Sequence, residues 1–319
     1  MHAKLGWTAV FLAAGAMSLE GCQSTAVSID FSAPGRWEVE RQIEYYKIPS
    51  ANLDGDIGPA YLVFPVTLAG FHDGQYGISV GPDDDVRYTV DGGESWTKAG
   101  NALACRHGLE IVDEKVAWHC GNGGIRVSVD GAKTWTTVGK FDCSYMSFLD
   151  ARTGWAGSTY IVRTTSDGGA SWIPLALPDG VDKIAAVSIR TAKDGYLLDT
   201  AGNLYVTGNG GESWEVRSLG LKTGERLIAS VGSPLAMARF ADARRGMVVF
   251  DLEDAERTVW FAVTTDGGRS WRRAEIPELR NRSSYFHLFL SRNLEWLTAT
   301  DDFNNGKNIS TVFRYRQSR

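Results

Sequence analysis

The chain has 319 residues, with 33 Lys and Arg against 38 Asp and Glu, for a formal net charge of −5. That balance repels phosphate and no basic stripe offsets it, so nucleic acid is excluded as the expected partner. The 36 glycines and 11 tryptophans fit a turn-rich all-β chain with repeated aromatic plugs.

Residues 1–21 read as a signal peptide, with Lys4 as the positive start and Leu5 to Met17 as an apolar run too short to span a bilayer. Leu19-Glu20-Gly21-Cys22 resembles the lipobox of bacterial lipoproteins, in which the Cys is acylated and becomes the mature N-terminus. Glu20 departs from the small or apolar residue usual there, which leaves cleavage after Ala16 open. Cys22 is therefore the expected lipidation site, 22–35 a tether, and 36–319 a single domain. The expected location is the periplasm or cell exterior, at a membrane surface.

Five copies of one phrase follow, reading Ser/Thr, any residue, Asp/Asn, any residue, Gly, any residue, Ser/Thr, Trp. They run from Thr89 to Trp96, Ser128 to Trp135, Thr165 to Trp172, Thr207 to Trp214 and Thr264 to Trp271, and the second has Ala132 in place of Gly. Asp91, Asp130, Asp167, Asn209 and Asp266 are spaced by 39, 37, 42 and 57 residues, a recurrence expected of stacked repeat units. As a turn between antiparallel strands the phrase is chemically complete. The Asp or Asn accepts backbone N–H groups, Gly takes positive φ, the hydroxyls hold the ends and the Trp buries its indole.

A hairpin phrase precedes each of these turns: Phe71 to Gly77, Ile111 to Trp118, Phe148 to Trp155, Ile189 to Tyr196 and Phe240 to Met247. A sixth, Phe289 to Trp296, has no turn phrase after it. Near the start, Arg36-Trp37-Glu38-Val39-Glu40 echoes Ser213-Trp214-Glu215-Val216-Arg217. Trp37 then replaces the missing tryptophan, and the N-terminal segment supplies an outer strand beside residues 309–316, so no sheet edge stays open. The expectation is an all-β, six-bladed β-propeller closed by its two ends. Seven blades would need an extra one from residues 45–68 or 215–238.

These turns resemble the Asp-box, or BNR, repeat of sialidases, sortilin-type receptors and photosystem II stability/assembly-factor-like proteins, all of them β-propellers. The resemblance covers roughly residues 37–319. The run from Gly154-Trp155-Ala156-Gly157 to Arg163-Thr164-Thr165-Ser166-Asp167-Gly168-Gly169 looks like the assembly-factor-like group. It implies that Asp91, Trp96, Asp130, Trp135, Asp167, Trp172, Asn209, Trp214, Asp266 and Trp271 are structural and lie away from the ligand face.

Ligand contacts are then expected on the opposite rim and at the channel, from Asp83-Asp84-Asp85, Asn122, Tyr160, Asp179 to Lys183 and Lys222 to Arg226. Arg87, Arg126 and Arg163 each lie four residues before their turn Asp in consecutive units, a candidate row for binding partner carboxylates. The alternative is that each pairs with an acid in its own sheet. Of the cysteines left after Cys22, Cys105 and Cys120 flank one predicted hairpin and are the expected disulfide, with Cys143 left over. Three buried thiols are the alternative. No cysteine spacing fits a metal site, and no cofactor is expected.

Two functions follow. One is a glycosidase, either sialidase-like or with paired carboxylates. The sialidase entry motif Arg-Ile-Pro has only Lys47-Ile48-Pro49 as counterpart, and lysine is a point charge where a planar fork is needed. His72, His107, His119 and His287 accompany no nucleophile or metal motif and read as core or loop residues. The other function, and the reading chosen, is a monomeric, non-catalytic binding or assembly scaffold with an unidentified protein partner.

Overall fold

A computed structural model describes residues 29, 31, 33–46, 68–81, 85–101, 108–121, 124–228, 236–253, 258–280, 286–303 and 307–317. They form six four-stranded antiparallel sheets and one short 3-10 turn, Pro277–Leu279.

The first blade is β2 (Leu68–Phe71), β3 (Gly77–Val80), β4 (Asp85–Thr89) and β5 (Thr97–Asn101). The second is β6 (Gly108–Ile111), β7 (Ala117–Gly121), β8 (Gly124–Ser128) and β9 (Thr136–Gly139). The third is β10 (Tyr145–Phe148), β11 (Gly154–Ser158), β12 (Ile161–Thr165) and β13 (Ile173–Pro174). The fourth is β14 (Ile184–Ile189), β15 (Gly195–Asp199), β16 (Asn203–Thr207) and β17 (Glu215–Ser218). The fifth is β18 (Ala236–Phe240), β19 (Gly246–Asp251), β20 (Val259–Thr264) and β21 (Arg272–Glu275).

The sixth blade holds β22 (Phe286–Leu290), β23 (Trp296–Phe303) and β24 (Lys307–Gln317), and its outermost strand is β1 (Gly35–Tyr46) from the other end of the chain. First strands touch in the cyclic order β2, β6, β10, β14, β18, β22 and back to β2, so the ring is closed and six-bladed. Trp37 lies opposite Tyr315, as the echo of the turn phrase predicts, and the ring centroids are 5.3 Å apart. Its indole also meets Phe261 of the fifth blade at 6.4 Å. A seventh blade from residues 215–238 is ruled out, because 215–218 form β17 and 219–228 run across the rim to the fifth blade. Residues 47–67 lie outside the described set.

Each turn phrase is tied internally and to its own blade. In the third blade Thr165 Oγ1 donates to Asp167 Oδ1 at 2.9 Å and accepts the Gly169 N–H at 2.9 Å. Ser171 donates its N–H to Asp167 Oδ1 at 3.0 Å and its hydroxyl to Oδ2 at 2.6 Å. The next tie joins the two loops of one rim. Gly92, Gly131, Gly168, Gly210 and Gly267 donate their N–H groups to Gln75, Lys115, Arg152, Lys193 and Arg244 in the first hairpin of the same blade. The repeated turns therefore all occupy one rim, as expected. Ala132 keeps the pattern at φ 66°, and its N–H bonds Ser128 Oγ at 2.9 Å.

Packing between blades is aromatic. Trp118 stacks on Phe148 at 3.7 Å between the second and third blades, and Tyr196 on Phe240 at 3.6 Å between the fourth and fifth. Trp172 and Trp214 donate Nε1–H to the carbonyls of Val138 and Ala176 in the preceding blade, so those turns join neighbours as well as strands.

Two expectations need correction. The expected disulfide between Cys105 and Cys120 is not the one found: Cys120 bonds Cys143, with Cα atoms 5.7 Å apart, and Cys105 lies outside the described residues. Cys120 on β7 faces the third blade, within the cluster holding Met146 and Phe148, and the segment entering β10 brings Cys143 there. The span 22–35 is also not all tether. Ile29 and Phe31 are buried, and Arg245 and Arg272 donate to the carbonyls of Ile29, Phe31 and Ala33. Cys22 and the remainder of the signal region lie outside the described residues.

Candidate functional site

The channel is walled by the six first strands, and its centre is charged. Glu110 on β6 and Arg239 on β18 belong to opposite blades, yet their side chains meet in a buried ion pair. Both are almost fully buried, at 1% and 5% exposure. Arg239 Nη1 donates to Ser147 Oγ at 3.4 Å, and Ser147 Oγ accepts the Ile189 N–H at 3.1 Å. Arg292, in the first hairpin of the sixth blade, donates to the carbonyl of Phe148 and reaches Glu110 Oε1 at 3.4 Å. Burial pulls the Arg239 guanidinium below its usual pKa while Glu110 opposes the shift.

Beside this pair the channel narrows to a cavity of about 30 Å³ lined by Leu68, Leu109, Tyr145, Met146, Val187, Met237 and Arg239, among others. Ligand pockets run to roughly 300–1,000 Å³. No Asp or Glu lines the cavity among the described residues. The hydroxyl of Tyr145 is pushed well above the usual tyrosine range by burial, which opposes its use as a nucleophile. The two channel arginines share Glu110 and do not form an open, substrate-facing set.

Arg87, Arg126 and Arg163 hold the same register on β4, β8 and β12, opposite Ser79, His119 and Ala156. All three are half-buried. Arg126 Nε donates to Thr137 Oγ1 at 3.1 Å, and Arg163 lies over the Phe141 ring at 4.5 Å. Tyr205 and Ala262 take the corresponding positions in the fourth and fifth blades.

On the rim away from the repeated turns, two of the predicted loops meet and engage each other. Arg226 pairs with Asp182 and donates to Thr200 Oγ1 at 2.9 Å. The same guanidinium holds the Asp182 carboxyl below the usual range. Arg273 grips both Glu225 oxygens at 2.6 and 2.8 Å, the main reason Glu225 falls to about 2. Buried Asp199 accepts from Asn203 and Tyr205, and burial raises Tyr205 to about 12. Charges offered by the sequence as ligand contacts thus fasten the crossing from the fourth to the fifth blade. Tyr160 stays exposed at a hairpin tip. Residues 82–84 and Asn122 lie outside the described residues, as do His107 and Lys47-Ile48-Pro49.

His119 is buried with its ring 6.2 Å from Trp135, His287 is buried on β22, and His72 is half-buried in the first hairpin. No group of three His, Cys, Asp or Glu is placed to hold a metal ion among the described residues, and no helix there is long and apolar enough to cross a membrane. Glu110, Arg239 and Arg292 are the channel residues that motif reasoning passed over. The available signal was a charge inside an apolar first strand, as in Leu109-Glu110-Ile111 and Ala238-Arg239-Phe240.

No protein-family model matches the chain, and no curated protein matches it in sequence. Among solved structures, U3-55K is similar with a TM-score of 0.51 at 12% identity, over 79% of this chain and 95% of that one. YCF48 from Cyanidioschyzon merolae has a TM-score of 0.45 at 16% identity, over 76% and 94% of the two chains. An ancestral GH74 enzyme has 0.47 at 12% identity over 80% of this chain, which spans 38% of that enzyme's length. At such identities the U3-55K likeness supports the propeller fold alone.

Proposed function

We propose that the protein is a non-catalytic binding or assembly scaffold, exported and tethered through Cys22. The observation that carries this reading is the plugged channel. Glu110 and Arg239 close it across the diameter, and the remaining cavity is far below the size of a glycoside site. Binding then falls to wide outer surfaces, where Arg87, Arg126 and Arg163 present cations in successive blades for carboxylates of a protein partner. The repeated-turn resemblance to assembly-factor-like propellers agrees with this role. The Cys120–Cys143 disulfide agrees with an oxidising, extracytoplasmic location.

The test is a crosslinking pull-down from membranes, comparing wild type with Arg87, Arg126 and Arg163 all changed to Glu. Specific partners should vanish from the variant, and equal recovery would discard the arginine row. Turnover of any glycoside in a chromogenic panel would favour the hydrolase reading. Detergent-free release of a Cys22→Ser variant checks the tether.

A further inference from the structure

The N-terminal segment meets the ring at the repeated-turn rim of the fifth blade. Arg245, in that blade's first hairpin, donates to the Ile29 carbonyl at 2.9 Å, and Arg272, next after the turn tryptophan, donates to the carbonyls of Phe31 and Ala33. Ile29 and Phe31 are buried, and Phe31 packs on Tyr315 with ring centroids 5.7 Å apart. Cys22 precedes Ile29 by seven residues, which span at most about 25 Å when fully extended. An acyl group on Cys22 would therefore enter a bilayer within that distance of the fifth-blade turn.

Charge on this rim is uneven among the described residues. At the fifth blade Arg244, Arg245, Arg269 and Arg272 stand against Asp242 and Asp266, whereas at the opposite, second blade Lys115 and Lys133 are outnumbered by Asp113, Glu114 and Asp130. Asp242 is occupied by Arg245 and the hairpin backbone, and Asp266 by Thr264 and Ser270. Glu215 lies 4.0 Å from Arg269 but is held closer, at 2.7 Å, by Arg217. Arg244 and Arg269 are both exposed. Arg244 Nε donates to the Thr265 carbonyl at 3.2 Å and Arg269 Nη1 to the Asp266 carbonyl at 3.1 Å, and each guanidinium has further donors to offer. The net charge of −5 pushes the molecule as a whole away from an anionic surface, so attraction is confined to this sector.

We infer that the repeated-turn rim at the fifth blade lies against the membrane, with Arg244 and Arg269 on the phosphates of anionic phospholipids. Guanidinium forks match phosphate oxygens, and residues 23–28 carry no charge, so headgroup recognition falls to the rim. The orientation presupposes the tether through Cys22. It turns the opposite rim away from the bilayer and leaves it open to partners.

Arginine footprinting on vesicles tests the orientation. The mature chain is anchored at residue 22, either by its native acyl group or by ligating a chain that begins at Cys22 to a lipid thioester. Vesicles are phosphatidylcholine alone or mixed with phosphatidylglycerol, and phenylglyoxal modification is read residue by residue by mass spectrometry. Arg244 and Arg269 should react at least about fivefold more slowly on the anionic vesicles, the gain that one cation near an anionic surface supplies. Arg226 on the opposite rim should react equally on both. High salt should reverse the protection, because the screening length falls to roughly 3 Å at 1 M. Arg244→Glu combined with Arg269→Glu should erase any difference at Arg272 without changing the melting temperature. Absence of acylation in cells would remove the native tether, while the ligated chain would still report on the rim. Equal reactivity of Arg244 and Arg269 on the two vesicles would overturn the inference, as would protection of Arg226 in their place. Protection that appears only on adding a membrane protein extract would also overturn it, in favour of an acidic protein partner.

Discussion

Glu110 and Arg239 are 129 residues apart in the chain and meet across the full width of the ring. Burying both charges is expensive, and their attraction returns that cost only while both are present.

The first prediction follows from the asymmetry around this pair. Glu110→Gln strands Arg239 in the core and should cost about 3–5 kcal/mol of unfolding free energy. Arg239→Met should cost less, because Arg292 still faces Glu110 at 3.4 Å. Replacing both with apolar residues should recover most of the loss. Urea denaturation of the two single variants and the double variant measures the coupling, and simple additivity would contradict it.

A second prediction concerns acid. Hydroxyl and backbone donors from Ser171 and Thr165 hold the Asp167 carboxyl down to about 2, and the Asp91 and Asp266 carboxyls also lie well below their ordinary value. A carboxylate depressed in the fold contributes stability that is present above the unfolded value near 3.9 and lost as pH falls through the folded value. Asp167→Asn copies the natural Asn209, whose amide still bonds Ser213 at 2.8 Å, and cannot titrate. Its denaturation midpoint should fall less than that of wild type between pH 4 and 2. Parallel curves would refute the assignment.

Ala132 gives a third. It sits at φ 66° where the other four turns have glycine, and its methyl is buried. Glycine would relieve the left-handed strain but lose the buried methyl, terms of about 1 kcal/mol each, so Ala132→Gly should be nearly neutral. Ala132→Val adds β-branching to the same conformation and should lower the melting temperature by several degrees. Comparable melting of the two variants would be inconsistent with this account.

The Cys120–Cys143 bond supplies the fourth. It closes a loop of 23 residues between the second and third blades, for which chain entropy gives about 3 kcal/mol. Reduction, or Cys143→Ser, should lower the unfolding free energy by that order. An unchanged denaturation curve under reductant would argue against the linkage.

Features encoded within a few residues were legible in the sequence. The repeated turns close their own hydrogen bonds inside eight positions, and the Trp37 echo placed β1 beside β24 because one indole fills one kind of crevice. Relationships set by the ring were not. Cys143 reaches Cys120 only after the second and third blades pack, and Glu110 finds Arg239 only after the circle closes. The loops at 179–183 and 222–226 looked available because the Arg226–Asp182 ion pair between them, and the Arg273–Glu225 pair that ties the second to β21, depend on the same assembly. The arginine register was readable, whereas the Phe141 ring beneath Arg163 was not.

The junction of β1 with β24 also orders events in time. Gln42 and Thr311 lie 269 residues apart, so a ribosome must deliver nearly the whole polypeptide before the clasp can fasten. Until then the backbone edge of β1 and its apolar Trp37, Ile43 and Tyr45 have no counterpart from β24. A nascent chain halted before residue 307 would be an open crescent with an adhesive margin, the kind of species that chaperones hold and aggregates recruit.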